Sequence, residues 1–320
     1  MSGRLAAQWR RARKTTRFPQ AKKVCVRRWS SASAWVTQLT MTETKLPDSE
    51  KIRDFVRARY GAIAEQAGED CGCAPACCAE KRAPVAATKS CCGSEGQGQN
   101  YGEKLGYSAE ELAAAPAGAD LGLGCGNPLA IASIKPGETV LDLGSGAGFD
   151  CFLAARQLAG TGRVIGVDMT VAMISKARAN AAKGSYKNVE FRLGEIEALP
   201  VADATVDLIL SNCVINLSPE KARVFQESFR VLKPGGRLAI ADVVATKPLP
   251  ATLRAKLGAI GACVGGATLV GELRAMLTNA GFARVEIVPK ESSREYIGHW
   301  TDDPTAGEFV VSALITAYKP

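Results

Sequence analysis

Apolar residues recur along this chain with two different periods, and the change from one to the other divides it. Residues 49–66 place Ile52, Phe55, Val56, Ala62 and Ile63 at helical spacing with Arg and Lys between them, which predicts an amphipathic helix. A second short helix is predicted over 103–115, with Ser108 as N-cap and Glu111 three residues on. From 138 onward short apolar runs alternate with helical stretches. Thr139–Leu143, Arg163–Asp168, Val189–Leu193, Val206–Ser211 and Arg237–Asp242 read as strands, and 150–159 and 171–183 as helices. A further helix starts at Ser218-Pro219, a cap with proline in the first turn, and runs to about 232. Lys233-Pro-Gly-Gly236 reads as a turn. Such alternation implies right-handed βαβ units, hence a parallel sheet with helices on both faces. The end departs from it. Val285–Val288 and Phe309–Ala317 read as strands with no clear helix between them, so a closing hairpin with one antiparallel strand is expected.

Composition changes this picture at two places. Residues 68–100 set Cys71, Cys73, Cys77, Cys78, Cys91 and Cys92 among Gly, Ala, Ser and Lys; such a stretch cannot build a core and reads as a flexible cysteine-rich segment. Residues 1–40 hold ten Lys or Arg and no acid. They are expected to be either a targeting extension or the product of a start assigned upstream of Met41. They also account for the formal charge of +8, because residues 41–320 carry 30 basic against 32 acidic side chains. The body therefore makes no electrostatic case for a nucleic acid or an anionic membrane as partner. No run of apolar residues is long enough for a membrane span. Eleven cysteines, an odd number in a chain of 320 residues without a secretory apolar segment, argue for functional thiols in a reducing compartment, and a cytoplasmic location is expected. The expected divisions are 1–40 as extension, 41–120 as helix and cysteine-rich segment, 121–245 as the ligand-binding domain, and 246–320 as an insert with the closing strands of the same fold.

Asp142-Leu-Gly-Ser-Gly-Ala-Gly148 joins the first strand of the alternating region to its helix. Gly144 and Gly146 allow a tight turn and a close approach of backbone to ligand. The spacing is not that of a dinucleotide fingerprint, and an acid precedes it. A carboxylate there repels phosphate and suits a ligand that carries positive charge. Asp168 ends the next strand, where a carboxylate meets ribose hydroxyls. The two signals fit S-adenosylmethionine better than NAD.

Three cysteines stand apart from the rest. Cys125 lies in Leu121-Gly-Leu-Gly-Cys-Gly126, Cys213 in Ser211-Asn-Cys-Val-Ile-Asn-Leu217, and Cys263 in Gly261-Ala-Cys-Val-Gly-Gly266. These spacings do not suit a zinc finger; they look like three loops that each bring one thiol to a point beside a cofactor. In an open α/β sheet ligands sit outside the carboxyl ends of the strands. Cys213 follows the fourth strand at that edge, and Cys263 follows the fifth. Trivalent arsenic is soft and thiophilic, so three thiolates would hold it as a pyramid with a lone pair on the open side. That lone pair can attack a methyl sulfonium without a general base, which suits a chain whose one histidine, His299, lies in a polar C-terminal stretch. Cys151, at the start of its helix, reads as a small buried hydrophobe.

The glycine loop, Asn188 to Leu199 and Leu232-Lys-Pro-Gly-Gly236 resemble a class I methyltransferase with a Rossmann-like sheet over about 138–290. The three cysteine motifs, with Leu141–Cys151 and Asp168-Met-Thr170, are similar to those of arsenite S-adenosylmethionine methyltransferases from about residue 50 to the end. The resemblance implies an α/β fold with an antiparallel closing strand and a small C-terminal insert. It implies S-adenosylmethionine as cofactor, held by Asp142, Gly144, Ser145, Gly146, Asp168, Met169, Ile196, Glu197 and Asn212, with Gly194–Glu197 near the adenine and Asn212 beside the methionine end. It implies Cys125, Cys213 and Cys263 as arsenic ligands, and Cys91 or Cys92 as the redox partner of Cys125. Arsenite and methylarsonite would be the substrates, thioredoxin or glutathione the reductant, and the chain a monomer. Members of that family often carry an acid before the last cysteine, where this chain has Ala262. Two other readings compete: a methyltransferase acting on a small carbon or nitrogen substrate, and a thiol-based metalloid-binding protein.

Overall fold

In the computed structural model, residues 46–66 and 101–320 are described. The N-terminal extension and all the cysteines of the cysteine-rich segment lie outside them. Helix α1 (Ser49–Gln66) has the predicted bounds. The helix predicted over 103–115 is instead two, α2 (Tyr101–Leu105) and α3 (Ala109–Ala114). Gly106 turns left-handed between them at φ +105°. Ser108 restarts the chain with a complete capping box to Glu111. A single turn, α4 (Leu129–Ala132), leads into the sheet.

The alternating region follows as β1 (Thr139–Leu143), α5 (Phe149–Gln157), β2 (Arg163–Asp168), α6 (Val171–Lys183), β3 (Val189–Leu193), β4 (Val206–Asn212), α7 (Lys221–Val231) and β5 (Leu232–Ala245). The C-terminal part adds α8 (Ala251–Ala255), α9 (Leu257–Gly261), β6 (Thr268–Leu269), α10 (Val270–Asn279), β7 (Ala283–Lys290), α11 (Arg294–Ile297) and β8 (Val310–Tyr318). Strand order is β3-β2-β1-β4-β5-β8-β7, with β6 paired to the end of β5. The first five strands are parallel, and β8 runs antiparallel to both its neighbours. The order, and the antiparallel β8, match the sheet expected from the resemblance to class I methyltransferases.

Burial on both faces explains the apolar runs. Val140, Val164, Leu208 and Leu210 point into one core with Phe152, Leu158 and Ile174. Leu141, Leu143, Ile165, Val167 and Ile209 point into the other with Phe225, Leu273 and Leu277. Odd and even positions thus serve opposite layers, as the pleat requires. A third apolar cluster lies at the carboxyl edge, where Ile52 and Val56 of α1 pack with Leu217, Ile260, Val264 and the three singled-out cysteines.

Three local expectations are corrected. Lys233–Gly236 does not interrupt the chain, because β5 runs through it with a register irregularity and Gly235 at φ +81° absorbs the bend. Helix α7 starts later than Ser218, whose hydroxyl donates to Glu197 at 2.6 Å while accepting from the Glu220 N–H at 3.0 Å. The last two strands are joined by α11 and 3-10 turns at Glu291–Ser293 and Ala306–Glu308 rather than by a tight hairpin. Among the described residues no helix is long and apolar enough to cross a membrane.

An ion pair ties the amino edge of the sheet together. Arg237 on β5 donates to both oxygens of Glu138 at 2.7 and 3.0 Å and to the carbonyls of Ala132 and Ser133 at 2.8 and 2.7 Å. Burial works to raise the Glu138 pKa, but hydrogen bonds from Arg237 and the Lys135 N–H outweigh it and lower the value. Glu138→Ala leaves the guanidinium with an unpaired charge, so a loss of about 3 kcal/mol is expected in urea unfolding. Because the folded pKa is depressed, the wild-type advantage over the variant is full above the ordinary carboxylate range and shrinks as pH falls through and below it. An advantage independent of pH would show that the pairing is not its source.

Candidate active site

Strands β1 and β4 are neighbours, yet the chain leaves β1 towards β2 and β4 towards β5. Crevices form at such a switch point, outside the carboxyl ends of the strands. Here the crevice is a cavity of about 380 Å³, roofed by Arg53, Val56 and Tyr60 of α1. All nine residues expected to bind a cofactor line it: Asp142, Gly144, Ser145, Gly146, Asp168, Met169, Ile196, Glu197 and Asn212. Gly144 stands at φ +65°, and a Cβ there would come within 2.4 Å of a Val214 methyl, so the loop passes where only glycine fits.

The cavity is rich in carboxylates. Asp142 is buried and accepts a hydrogen bond from the Cys151 thiol at 3.2 Å. Burial, then the neighbouring Asp150, push its pKa well up. Asp150 accepts from the Tyr107 hydroxyl at 2.6 Å, and burial raises it to about 6. Asp168 accepts from the backbone N–H groups of Gly146 at 3.0 Å and Thr170 at 2.8 Å; burial raises it against those bonds. Ser145 offers a buried hydroxyl with no hydrogen-bond partner among the described residues. Two expected contacts are already engaged with protein. The Glu197 carboxylate takes the Ser218 hydroxyl and lies 3.8 Å from Arg53, which also pairs with Glu220. The Asn212 amide oxygen accepts from the Cys125 N–H at 3.1 Å. Its nitrogen donates to the Gly126 carbonyl at 2.9 Å, the Tyr107 hydroxyl at 3.0 Å and Asp150 at 3.2 Å.

The fold brings Cys125, Cys213 and Cys263 together at one wall of this cavity. Cys213 and Cys263 line it, while Cys125 is fully buried behind them. All three sulfurs lie in one buried cluster, and the Cys263 thiol donates to the Cys213 carbonyl at 2.9 Å. Cys213 and Cys263 hold φ of +59° and +61°, a left-handed conformation that non-glycine residues rarely adopt. Such torsions persist where the surroundings fix them, and they gather at functional sites. Glycines allow the loops to close: a Cβ on Gly266 would stand 2.0 Å from the Asn216 carbonyl oxygen, and one on Gly126 2.9 Å from the Ala241 Cβ. Burial raises the Cys125 pKa. Hydrogen bonds with Cys125 and Cys263, then burial, raise that of Cys213. Cys151 lies apart, buried on its helix against Asp142, and Cys91 and Cys92 fall outside the described residues.

Several site residues escaped the sequence reading. Asp242, near the end of β5, lies beside the thiols, with an oxygen within 4.8 Å of the Cys125 and Cys213 sulfurs. Its signal was present, since Asp142 and Asp168 also lie at or next to the carboxyl ends of their strands. The roofing role of α1 had no local signal; it depends on Tyr60 reaching the Gly261 carbonyl at 3.2 Å and Arg57 pairing with Glu195. Tyr101, Trp300 and His299 also line the cavity, so the histidine is closer to the site than its polar surroundings suggested.

Comparison with known proteins bears on this geometry. Residues 134–281 match a family model described as a methyltransferase domain. An arsenite methyltransferase from Halobacterium salinarum is 50% identical over 306 residues, covering 96% of this chain and 76% of that protein. One from Aquipseudomonas alcaligenes is 41% identical over 172 residues, 52% of this chain and 49% of that protein. Among solved structures, an arsenic(III) S-adenosylmethionine methyltransferase from Chlamydomonas reinhardtii superposes with a TM-score of 0.50 at 30% identity, over 69% of this chain and 74% of that one.

The bonds from Asn212 pin the Cys125 loop to the end of β4. Asn212→Ala leaves the Cys125 N–H and the Gly126 carbonyl without their partner, a cost of about 1–3 kcal/mol. That raises the open population by a factor between about 5 and about 150. Peptide-resolved iodoacetamide labelling should show Cys125 reacting faster by that factor, with Cys151 unchanged. Equal Cys125 labelling in the variant and the native protein would mean that Asn212 does not hold the loop.

Proposed function

The chain belongs to the arsenite methyltransferase family, and we propose that it holds trivalent arsenic on Cys125, Cys213 and Cys263 beside S-adenosylmethionine bound in the adjoining cavity. The enzyme methylates arsenite with S-adenosylmethionine as methyl donor. The observation that supports the three-thiol reading is the meeting of three buried sulfurs, from three separate loops, at the wall of a carboxylate-lined cavity.

The cavity suits the cofactor. Asp120, Asp142, Asp150, Asp168 and Glu197 line it against Arg53 and Arg59, an excess of negative charge that matches a sulfonium and an ammonium and repels a pyrophosphate. A cation there favours the ionised form of carboxylates that burial otherwise neutralises. Asp168 would take the ribose hydroxyls and Asp142 the cationic end, with the backbone of Gly144, Ser145 and Gly146 close against the ligand. Met169 and Ile196 would flank the adenine. Glu197 and Asn212 would shape the wall through their protein partners. S-adenosylmethionine, when bound, supplies a methyl group on a positively charged sulfur.

The thiols do the rest. Burial raises the pKa of Cys125, and hydrogen bonding to the other two thiols together with burial raises that of Cys213, which favours the neutral thiol at both positions. Arsenous acid is neutral and carries three hydroxyls. Each S–H condenses with one As–OH: an S–As bond forms and a water leaves, so no proton has to be disposed of. Three sulfurs on one side leave the arsenic lone pair on the open side. That nucleophile bears no proton, so the reaction has no need of a base, His299 included. Forming an As–C bond raises arsenic by two oxidation levels, and two thiols return those electrons by becoming a disulfide. In this reading Cys125 pairs with Cys91 or Cys92, and thioredoxin or glutathione restores the thiols. Methylarsonite, with two exchangeable positions, uses Cys213 and Cys263. The free thiols suit a reducing compartment such as the cytoplasm, and a cavity built within one chain suits a monomer.

Serine keeps the size of cysteine and removes the soft ligand. Cys213→Ser and Cys263→Ser should therefore be inactive on arsenite and on methylarsonite. Cys125→Ser should lose arsenite methylation and keep measurable activity on methylarsonite. Wild-type turnover of arsenite by Cys213→Ser, with S-adenosylmethionine and glutathione present, would refute the three-thiol site.

A further inference from the structure

The thiol cluster holds one more donor than trivalent arsenic uses. The sulfurs of Cys125 and Cys213 and a carboxylate oxygen of Asp242 lie within 4.8 Å of one another, and all three residues are buried. Asp242 Oδ1 accepts from the Val243 N–H at 2.7 Å and Asn216 Nδ2 at 3.0 Å, and Oδ2 accepts from the Ile215 N–H at 3.0 Å. An ionised carboxylate has about four acceptor positions. Among the described residues these three bonds leave one acceptor position open on Oδ2. Asp242, like Cys125, does not line the cavity, so its oxygen approaches the cluster from the protein side. A pyramidal arsenic with its lone pair towards the cavity has no use for it. A divalent ion without a lone pair does.

We infer that Cys125, Cys213 and Asp242, completed by Cys263, form a binding site for a thiophilic divalent cation of the zinc type, which excludes arsenite while it is bound. The inference rests on the reading of these thiols as the arsenic site. Zinc takes four sulfur, nitrogen or oxygen donors in a tetrahedron, with Zn–S of about 2.3 Å, which sets two sulfurs about 3.8 Å apart. A cluster already within 4.8 Å closes on the ion by about 1 Å or less. Cys263 supplies the fourth donor when its thiol leaves the Cys213 carbonyl, now 2.9 Å away. Binding forms three Zn–S bonds and one Zn–O bond, and the three thiol protons go to solvent.

The test uses the reduced full chain, titrated with ZnCl2 against a chromophoric zinc chelator, with arsenite binding measured on the same samples. One equivalent of zinc should bind, and arsenite should displace it. Asp242→Asn should weaken zinc by about tenfold or more, and by more than it weakens arsenite, which binds through sulfur alone. Cys71, Cys73, Cys77 and Cys78 are rival zinc ligands, so the titration is repeated with all four changed to Ser, and zinc should still bind. Zinc lost with those four cysteines, or unchanged affinity in Asp242→Asn, overturns the proposal. Where Asp242→Asn does not fold, X-ray absorption of the four-serine variant loaded with Cd2+ decides: three sulfurs and one oxygen are expected, and an oxygen-only shell or no binding overturns it. Failure of the native protein to bind arsenite would instead strike the arsenic reading.

Discussion

The close approach of three thiol-bearing loops at the end of β4 is the constraint on which the site depends. Cys213 follows β4 directly, and Asn212, the last residue of that strand, grips the backbone on either side of the Cys125 sulfur. Cys263 arrives from α9 with its thiol on the Cys213 carbonyl. Each contact needs the backbone to run where most residues cannot follow. Cys213 and Cys263 take left-handed torsions, and Gly126 and Gly266 leave no space for a side chain. Such an arrangement costs conformational energy that the two flanking cores must supply. It brings sulfur from three distant parts of the chain to one point.

Electrostatics divides the crevice into two halves. The β1 loop and the ends of β2 and α5 present carboxylates that burial holds partly neutral, ready for a cation. The β4 and α9 loops present thiols in an apolar cluster under α1. In the proposed reading a positively charged methyl donor occupies the first half and a neutral, thiophilic acceptor the second. No charged nucleophile would then have to be stripped of water, because the proposed nucleophile is the arsenic lone pair. Helix α1 closes both halves at once through Tyr60 and its ion pairs to the far wall.

Much of this was legible in the residues. The strands β1, β2 and β3 and helices α1 and α6 coincide with the apolar periodicity, because each buries a face of fixed period. Asp142 before the glycine loop pointed to a ligand with positive charge and Asp168 to its ribose, and three cysteine loops pointed to a soft acceptor. What remained hidden depends on contacts distant in sequence. Nothing near Asn212 indicates that its amide is spent on the Cys125 loop, 87 residues away in sequence. Asp242 reads as one more strand end until β5 is set beside Cys125. The break at Gly106 follows from a left-handed turn that lets Tyr107 reach Asp150, a partner 43 residues on.

The central claim is that arsenic is held by these three sulfurs. Arsenic X-ray absorption on the reduced full chain with one equivalent of arsenite measures its neighbours directly. The account predicts three sulfurs and no oxygen for the native protein, and two sulfurs with one oxygen for Cys125→Ser. An oxygen shell in the native protein would contradict it, as would an unchanged three-sulfur shell after Cys125, Cys213 and Cys263 are all replaced by Ser.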